Sequence, residues 1–188
     1  MKIAKLEKKS ISEAAEFLNK GGVIIFPTDT VYGFLADAGN KKAVAKIYKI
    51  KKRLKSKPLP VFVKDFKMAG ELTEISKEQA KILKKKWPGK FTFVLERKKG
   101  IKSYDGAKTT IALRIPKYKF LNDLLKKINK PLAQTSVNIS GEAPMAKIGE
   151  IIKQFEKQDI LIIDAGNLKK SKPSKIIDLT KQALTRLR

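Results

Sequence analysis

The chain contains no cysteine and no histidine. Without a thiol or an imidazole it can have no thiolate nucleophile, no Cys/His zinc centre, no Ser-His-Asp triad and no histidine general base. No stretch approaches the ~18 uninterrupted apolar residues of a membrane span. The N-terminal lysines are not followed by the apolar core of an export signal, so the expectation is a cytoplasmic protein. Neither G-x-x-x-x-G-K-[ST] nor G-x-G-x-x-G occurs, so a nucleotide, if bound, is held by neither a P-loop nor a dinucleotide-binding turn. Acidic residues are scarce: 18 against 43 basic ones, for a net charge of +25. A polyanionic partner such as RNA is one explanation. The other is lysine and isoleucine enrichment from genome composition or growth at high temperature. The even spread of lysines fits that second reading in part.

What is present supports one domain over residues 1–188, since 42% of the residues are apolar and the chain is long enough for its own core. The residue types available for chemistry are Lys, Arg, Asp, Glu, Ser, Thr, Tyr and Asn. That set is poor in nucleophiles near neutral pH and good at holding anions, phosphates above all.

Periodicity predicts an α/β fold. Ser10-Ile11-Ser12-Glu13 has capping-box spacing before a helix that ends at Gly21-Gly22, and Val23–Phe26 follows as a buried strand. Helices are predicted over Lys41–Lys52, Ser76–Lys86, Tyr118–Ile128 and Met145–Glu156. Further strands are predicted over Leu59–Val63, Phe91–Leu95, Thr110–Ile115, Leu132–Val137, Ile160–Ile163 and Lys175–Leu179, with one more at Ala183–Arg188. Strands and helices interleave without strict alternation, which favours an open mixed sheet with flanking helices over a TIM barrel.

Four polar clusters stand out. Phe26-Pro27-Thr28-Asp29-Thr30-Val31-Tyr32-Gly33 follows a strand and places two hydroxyls, a carboxylate and a phenol within five positions. It reads as a site at a strand end or as a turn capped by its threonines. Lys51-Lys52-Arg53-Leu54-Lys55-Ser56-Lys57-Pro58 closes a helix, where cations are favoured in any case, but Pro58 and Pro60 stiffen it. In Thr135-Ser136-Val137-Asn138-Ile139-Ser140-Gly141 the alternation puts Ser136, Asn138 and Ser140 on one face, either as ligand contacts or as an Asx turn. Ser174–Asp178 precedes the last clear strand. Arg114, alone among apolar residues on a strand, needs an anionic partner, whether a carboxylate or a ligand.

Together these clusters resemble the YrdC-type threonylcarbamoyl-AMP synthase family in its short, single-domain form. The matching motifs are the 26–33 run, Lys51-x-Arg53, Trp87-Pro88-Gly89, Ala112-x-Arg114-x-Pro116, Ser136-x-Asn138-x-Ser140-Gly141 and Ile177-Asp178-Leu179-Thr180, in family order over nearly the whole chain. The resemblance implies a twisted, mixed α/β sheet around a large basic cavity. It also implies condensation of L-threonine, bicarbonate and ATP to threonylcarbamoyl-AMP and pyrophosphate. A transferase complex would then use the product on adenosine 37 of tRNA.

By the same resemblance Thr30, Arg114, Ser136 and Ser174 would hold threonine. Arg53, Lys57, Thr110, Asn138 and Arg188 would hold ATP, and Lys51 with Arg53 would position the reacting groups electrostatically. Tyr32 and Phe62 would shape the pocket, Phe62 standing where many members carry a histidine. Ala146 replaces a hydroxyl-bearing ATP contact, and Ser174-Lys175 replaces a Ser-Thr pair. Mg²⁺ would accompany ATP, with no metal ligand from protein side chains. The alternative is a non-catalytic tRNA or double-stranded RNA-binding module of the same fold.

Overall fold

The computed structural model describes residues 1–101, 109–169, 171–181 and 185–186. Over these residues the elements run β1 (Lys2–Lys5), α1 (Lys8–Asn19), β2 (Ile24–Phe26), β3 (Gly33–Asp37), α2 (Lys41–Lys51), β4 (Val61–Phe62), α3 (Phe66–Leu72) and α4 (Lys77–Lys86). They continue with β5 (Phe91–Glu96), β6 (Thr110–Arg114), α5 (Lys119–Ile128), β7 (Leu132–Ser136), α6 (Ile148–Phe155), β8 (Leu161–Asp164), β9 (Lys175–Asp178) and β10 (Thr185–Arg186). The ten strands form one sheet in the order β1-β8-β2-β3-β7-β4-β6-β5-β9-β10. β1 and β2 flank β8 in parallel, β4 runs parallel to β6 and β5 to β9, and the remaining neighbours are antiparallel. This is the expected open mixed sheet.

Alternation along the strands divides the core between two faces. Ile24, Phe26, Leu35, Phe62, Leu161 and Ile163 pack with Ile11, Ala14 and Leu18 of α1 and with Leu121, Leu124 and Leu125 of α5. Their neighbours Ile25, Phe34, Val61 and Ile162 turn to the other face, among residues of α2, α3, α4 and α6. Fully burying each such side chain is worth about 1.5–3 kcal/mol. The sheet is thereby held from both sides, and its strand ends form a rigid frame.

Four elements differ from expectation, and the first, α3 over Phe66–Leu72, has no predicted counterpart at all. α1 starts a turn earlier than Ser10 predicts. The Ser10 hydroxyl sits inside the helix, accepts from the Glu7 N–H at 3.1 Å and donates to the Glu7 carbonyl at 2.8 Å, so Glu7 is the cap. β1 is an edge strand, and its mostly exposed lysines hide any apolar alternation. β3 begins at Gly33, inside the run that reads as loop, and pairs antiparallel with β2. By contrast, α4 is capped by Ser76 and Gln79 as their spacing predicts. Of the last predicted strand, Ala183–Arg188, the described part is β10 at Thr185–Arg186, while Ala183 and Arg188 lie outside the described residues.

Candidate active site

A cavity of about 280 Å³ opens where β6 and β7 end and the loop after β2 begins. Thr30, Lys51, Arg53, Arg114, Ser136, Asn138 and Ser174 all line it. Segments far apart in the chain converge here because each borders a strand or helix of the frame.

The loop after β2 is built by Thr28. Its hydroxyl accepts from the Thr30 N–H at 3.0 Å and the Val31 N–H at 3.2 Å, and donates to the Val31 carbonyl at 2.7 Å. The capped-turn reading therefore holds for Thr28, while the same turn carries Thr30 onto the cavity wall. The Thr30 hydroxyl lies 3.0 Å from that of Thr28. Tyr32 does not line the cavity. Its hydroxyl donates to the Gly166 carbonyl at 2.7 Å and accepts from the Ala165 N–H at 2.9 Å, tying the loop to the end of β8. Burial, the largest influence, raises its pKa to about 12.

Arg114 is 2% exposed at the end of β6. Its Nε donates to the Gly89 carbonyl at 2.9 Å and its Nη2 to Asp29 Oδ1 at 2.5 Å. The anion that a core-strand arginine requires is thus a carboxylate of the protein. Burial lowers the Arg114 pKa and Asp29 opposes that shift. Gly89 must approach closely, since a Cβ there would lie 2.5 Å from the Lys86 carbonyl oxygen. Phe62, beside Arg114 in the β4–β6 register, places its ring centroid 5.5 Å from the guanidinium carbon. Phe62 acts on the cavity through Arg114 rather than as part of its wall.

The Lys51-x-Arg53 spacing works because Lys52 adopts the left-handed conformation, φ 50°, at the end of α2. That geometry costs a non-glycine residue roughly 1–2 kcal/mol, and it lets residues 51 and 53 both reach the cavity. Lys51 is no solvated helix end, being 1% exposed. Its ammonium donates to the Ser136 carbonyl at 2.5 Å, the Asn138 carbonyl at 2.9 Å and Asn138 Oδ1 at 2.7 Å. Burial first, then Arg53, pushes its pKa down to about 7, with Glu142 acting in the opposite sense. Arg53 donates from Nε to the Lys57 carbonyl at 2.9 Å and from Nη2 to the Pro58 carbonyl at 3.0 Å. Those two bonds, more than the prolines alone, stiffen the basic loop.

Of the remaining expected residues, Lys57 and Thr110 fall outside the wall, whereas Asn138 and Ser174 lie on it. Lys57 enters through its carbonyl while its side chain is exposed. Thr110 starts β6 on the same face as Arg114 by alternation, about 13 Å along at ~3.3 Å per residue. Asn138, expected to contact ATP, has both ends of its amide engaged within the protein. Ser174 lies 2.9 Å, hydroxyl to hydroxyl, from buried Thr92. Three further residues matter. Asp29 stands in the prominent run, but nothing local to it names Arg114. Thr92 reads as an ordinary strand threonine, and Glu142, the one acid among the lining residues, as a surface charge. Among the described residues no cluster of three or more acids could hold a metal ion, and no helix is long and apolar enough to cross a membrane.

The family model for Sua5/YciO/YrdC proteins, described as "Telomere recombination", matches residues 16–188. The chain belongs to this family. A Methanocaldococcus jannaschii protein, provisionally named a threonylcarbamoyl-AMP synthase, is 36% identical over 192 residues, covering 100% of this chain and 91% of its own length. A Pyrococcus abyssi threonylcarbamoyl-AMP synthase is 32% identical over 178 residues, 94% of this chain. The match spans 52% of that protein, so this chain corresponds to about half of it. The crystal structure of P. abyssi Sua5 with L-threonine superposes with a TM-score of 0.90 at 31% identity, covering 100% of this chain and 56% of that one. The Sua5/YciO/YrdC assignment accounts for the mixed sheet, and relatives in the family carry the synthase name.

Proposed function

We propose that this Sua5/YciO/YrdC chain is a threonylcarbamoyl-AMP synthase, a nucleotidyltransferase that uses L-threonine, bicarbonate and ATP. The observation that carries the reading is the convergence, in one cavity, of Arg114, Lys51 and Arg53 with three hydroxyl residues, Thr30, Ser136 and Ser174. Arg114 has donors beyond those given to Gly89 and Asp29, and these meet the threonine carboxylate. Thr30, Ser136 and Ser174 surround the rest of the amino acid. Arg53 faces the triphosphate, Lys51 adds positive charge, and Lys57, Thr110 and Arg188 extend the nucleotide contacts beyond the described wall.

The chemistry needs no protein nucleophile. The threonine amine and bicarbonate condense to a carbamate with loss of water. A carbamate oxygen then attacks the α-phosphorus, and the bond to the bridging oxygen breaks to release pyrophosphate. The protein aligns two anions and offsets their repulsion, which fixed charged donors do well. Mg²⁺ arrives on the triphosphate, whose oxygens are better ligands for it than a wall with a single carboxylate. The product is a mixed anhydride, which suits transfer to tRNA by a transferase complex, and both steps belong in the cytoplasm.

The test is pyrophosphate release from ATP, Mg²⁺ and bicarbonate across a panel of amino acids. Turnover that depends on threonine is expected; turnover without such dependence, or none, overturns the reading. Salt-sensitive tRNA binding unaffected by Arg53→Ala, with no ATP turnover, would establish the RNA-binding module instead.

A further inference from the structure

Two stretches of the chain carry lysine and no acid. Residues 80–95 hold five lysines and residues 165–177 hold four, with no aspartate or glutamate in either. The fold lays them side by side. β5 and β9 run parallel with Phe91 opposite Lys175, and the Lys175 N–H donates to the Lys90 carbonyl at 3.1 Å. The Lys90 ammonium lies 3.5 Å from the Ser171 hydroxyl. The ammonium nitrogens of Lys86 and Lys175 stand 4.9 and 5.9 Å from the centroid of one ring, Phe91. Lys84, Lys85, Lys86, Lys90, Lys172 and Lys175 are all exposed.

Among the described residues none of these six lysines makes an ion pair. Elsewhere lysines are interleaved with acids, as in Lys20 with Glu16 on α1, Lys119 with Asp123 on α5 and Lys147 with Glu150 at the start of α6. Lysine enrichment spread over the whole chain does not account for a face from which acids are missing. Clustered cations without counter-ions build a positive potential that a polyanion relieves.

The chemistry of the face selects the polyanion. Protein interfaces are depleted in lysine and built round an apolar core. Here Phe91 is half-buried beside two ammonium groups, and among the described residues neither stretch holds a large, exposed apolar side chain. Lysines are common partners of phosphate oxygens. An ammonium is a point charge without the planar fork that reads a base edge.

We propose that this face, residues 84–91 with Lys172 and Lys175, docks the phosphate backbone of an RNA without regard to its sequence. The face borders the cavity from outside, since Pro173, Ser174 and Ile176 line the cavity and the Gly89 carbonyl accepts from Arg114. The choice of RNA over DNA rests on the proposed function, whose product is destined for tRNA; the face itself stands on charge and geometry.

Fluorescence anisotropy of the full chain with a labelled RNA duplex of about 20 base pairs, at salt between about 50 and 200 mM, tests this. Lys86→Gln, Lys90→Gln and Lys175→Gln combined should flatten the plot of log affinity against log salt by about 2–3 in slope. Lys119→Gln, Lys126→Gln and Lys127→Gln on α5, across the sheet from α4, remove the same charge and should change the slope by less than about 1. Equal flattening by both triples would mean that net charge alone attracts the RNA, and would overturn the proposal. A second duplex of unrelated sequence should bind within about two-fold of the first. A strong preference between the two, or tighter binding of a DNA duplex, would also overturn it. Poly-L-glutamate bound as tightly as the RNA, and lost in the first triple, would assign the face to an acidic protein instead. Wild-type protein that binds no RNA overturns the proposal, and threonine-dependent pyrophosphate release by the same preparation leaves the proposed function standing. RNA binding lost only in the first triple, with no threonine-dependent turnover by the wild type, upholds the face and overturns the proposed function.

Discussion

The Arg114 guanidinium and the Asp29 carboxylate meet at 2.5 Å with their side chains only 2% and 7% exposed. The two residues stand 85 positions apart in the chain. Asp29 Oδ2 also accepts from the Lys117 N–H at 3.2 Å, so one carboxylate joins the loop after β2 to the segment after β6. Asp29→Asn keeps the shape and removes the charge, leaving a buried cation without its counter-ion. The expected loss is about 3 kcal/mol in denaturant unfolding. Adding Arg114→Leu should cost less than the two single losses combined. Simple additivity would mean that the pair is not coupled.

Thr30→Ala should raise the threonine KM roughly ten-fold, as expected for removal of one ligand-facing hydroxyl, and leave that for ATP within about two-fold. Thr28→Ala undoes the turn and should impair both. If Thr30→Ala also impairs both equally, the Thr30 hydroxyl has a structural role only.

Tyr32→Phe removes the bonds to Gly166 and Ala165 but keeps the ring in the core. A stability loss of about 1–3 kcal/mol is expected, because buried backbone groups lose their partner. Amino-acid selectivity should not move, and kinetics across an amino-acid panel would detect a shift if Tyr32 formed the wall directly.

Lys51 links stability to pH. In the folded protein its pKa is lowered to about 7 from an ordinary 10.5. Below the lower value both states hold the proton and the slope is zero. Between the two values the unfolded chain binds more protons, so stability rises with pH. Wild-type protein should therefore gain stability relative to Lys51→Met as pH is raised from about 7 to about 9.5, measured by urea unfolding. A constant difference would mean that its three acceptors keep the ammonium charged throughout.

Much of the architecture was legible from local signals. Buried strands such as Ile24–Phe26 and Leu161–Asp164 are short apolar runs, and α4 carries its own cap. β3 was not legible, because its glycine start merges with the polar run and its identity as a strand comes from pairing with β2 and β7. The Ser10 cap was misplaced because Ser10 bonds backward to Glu7 instead of forward to Glu13.

By itself the sequence determined the class of chemistry, since a chain without cysteine or histidine has charged and hydroxyl donors to work with and little else. It also determined where the sites stand, at strand ends punctuated by proline and glycine, because those signals are local. Only the tertiary structure decided which partner each group meets. Arg114 required an anion, and packing supplied Asp29. Asn138 had four hydrogen bonds to make, and Lys51, Ser136, Ile139 and Glu142 took them all. Hydrogen bonds saturate, so a residue's capacity can be read from its type, whereas its availability to a ligand depends on neighbours that only the fold brings together.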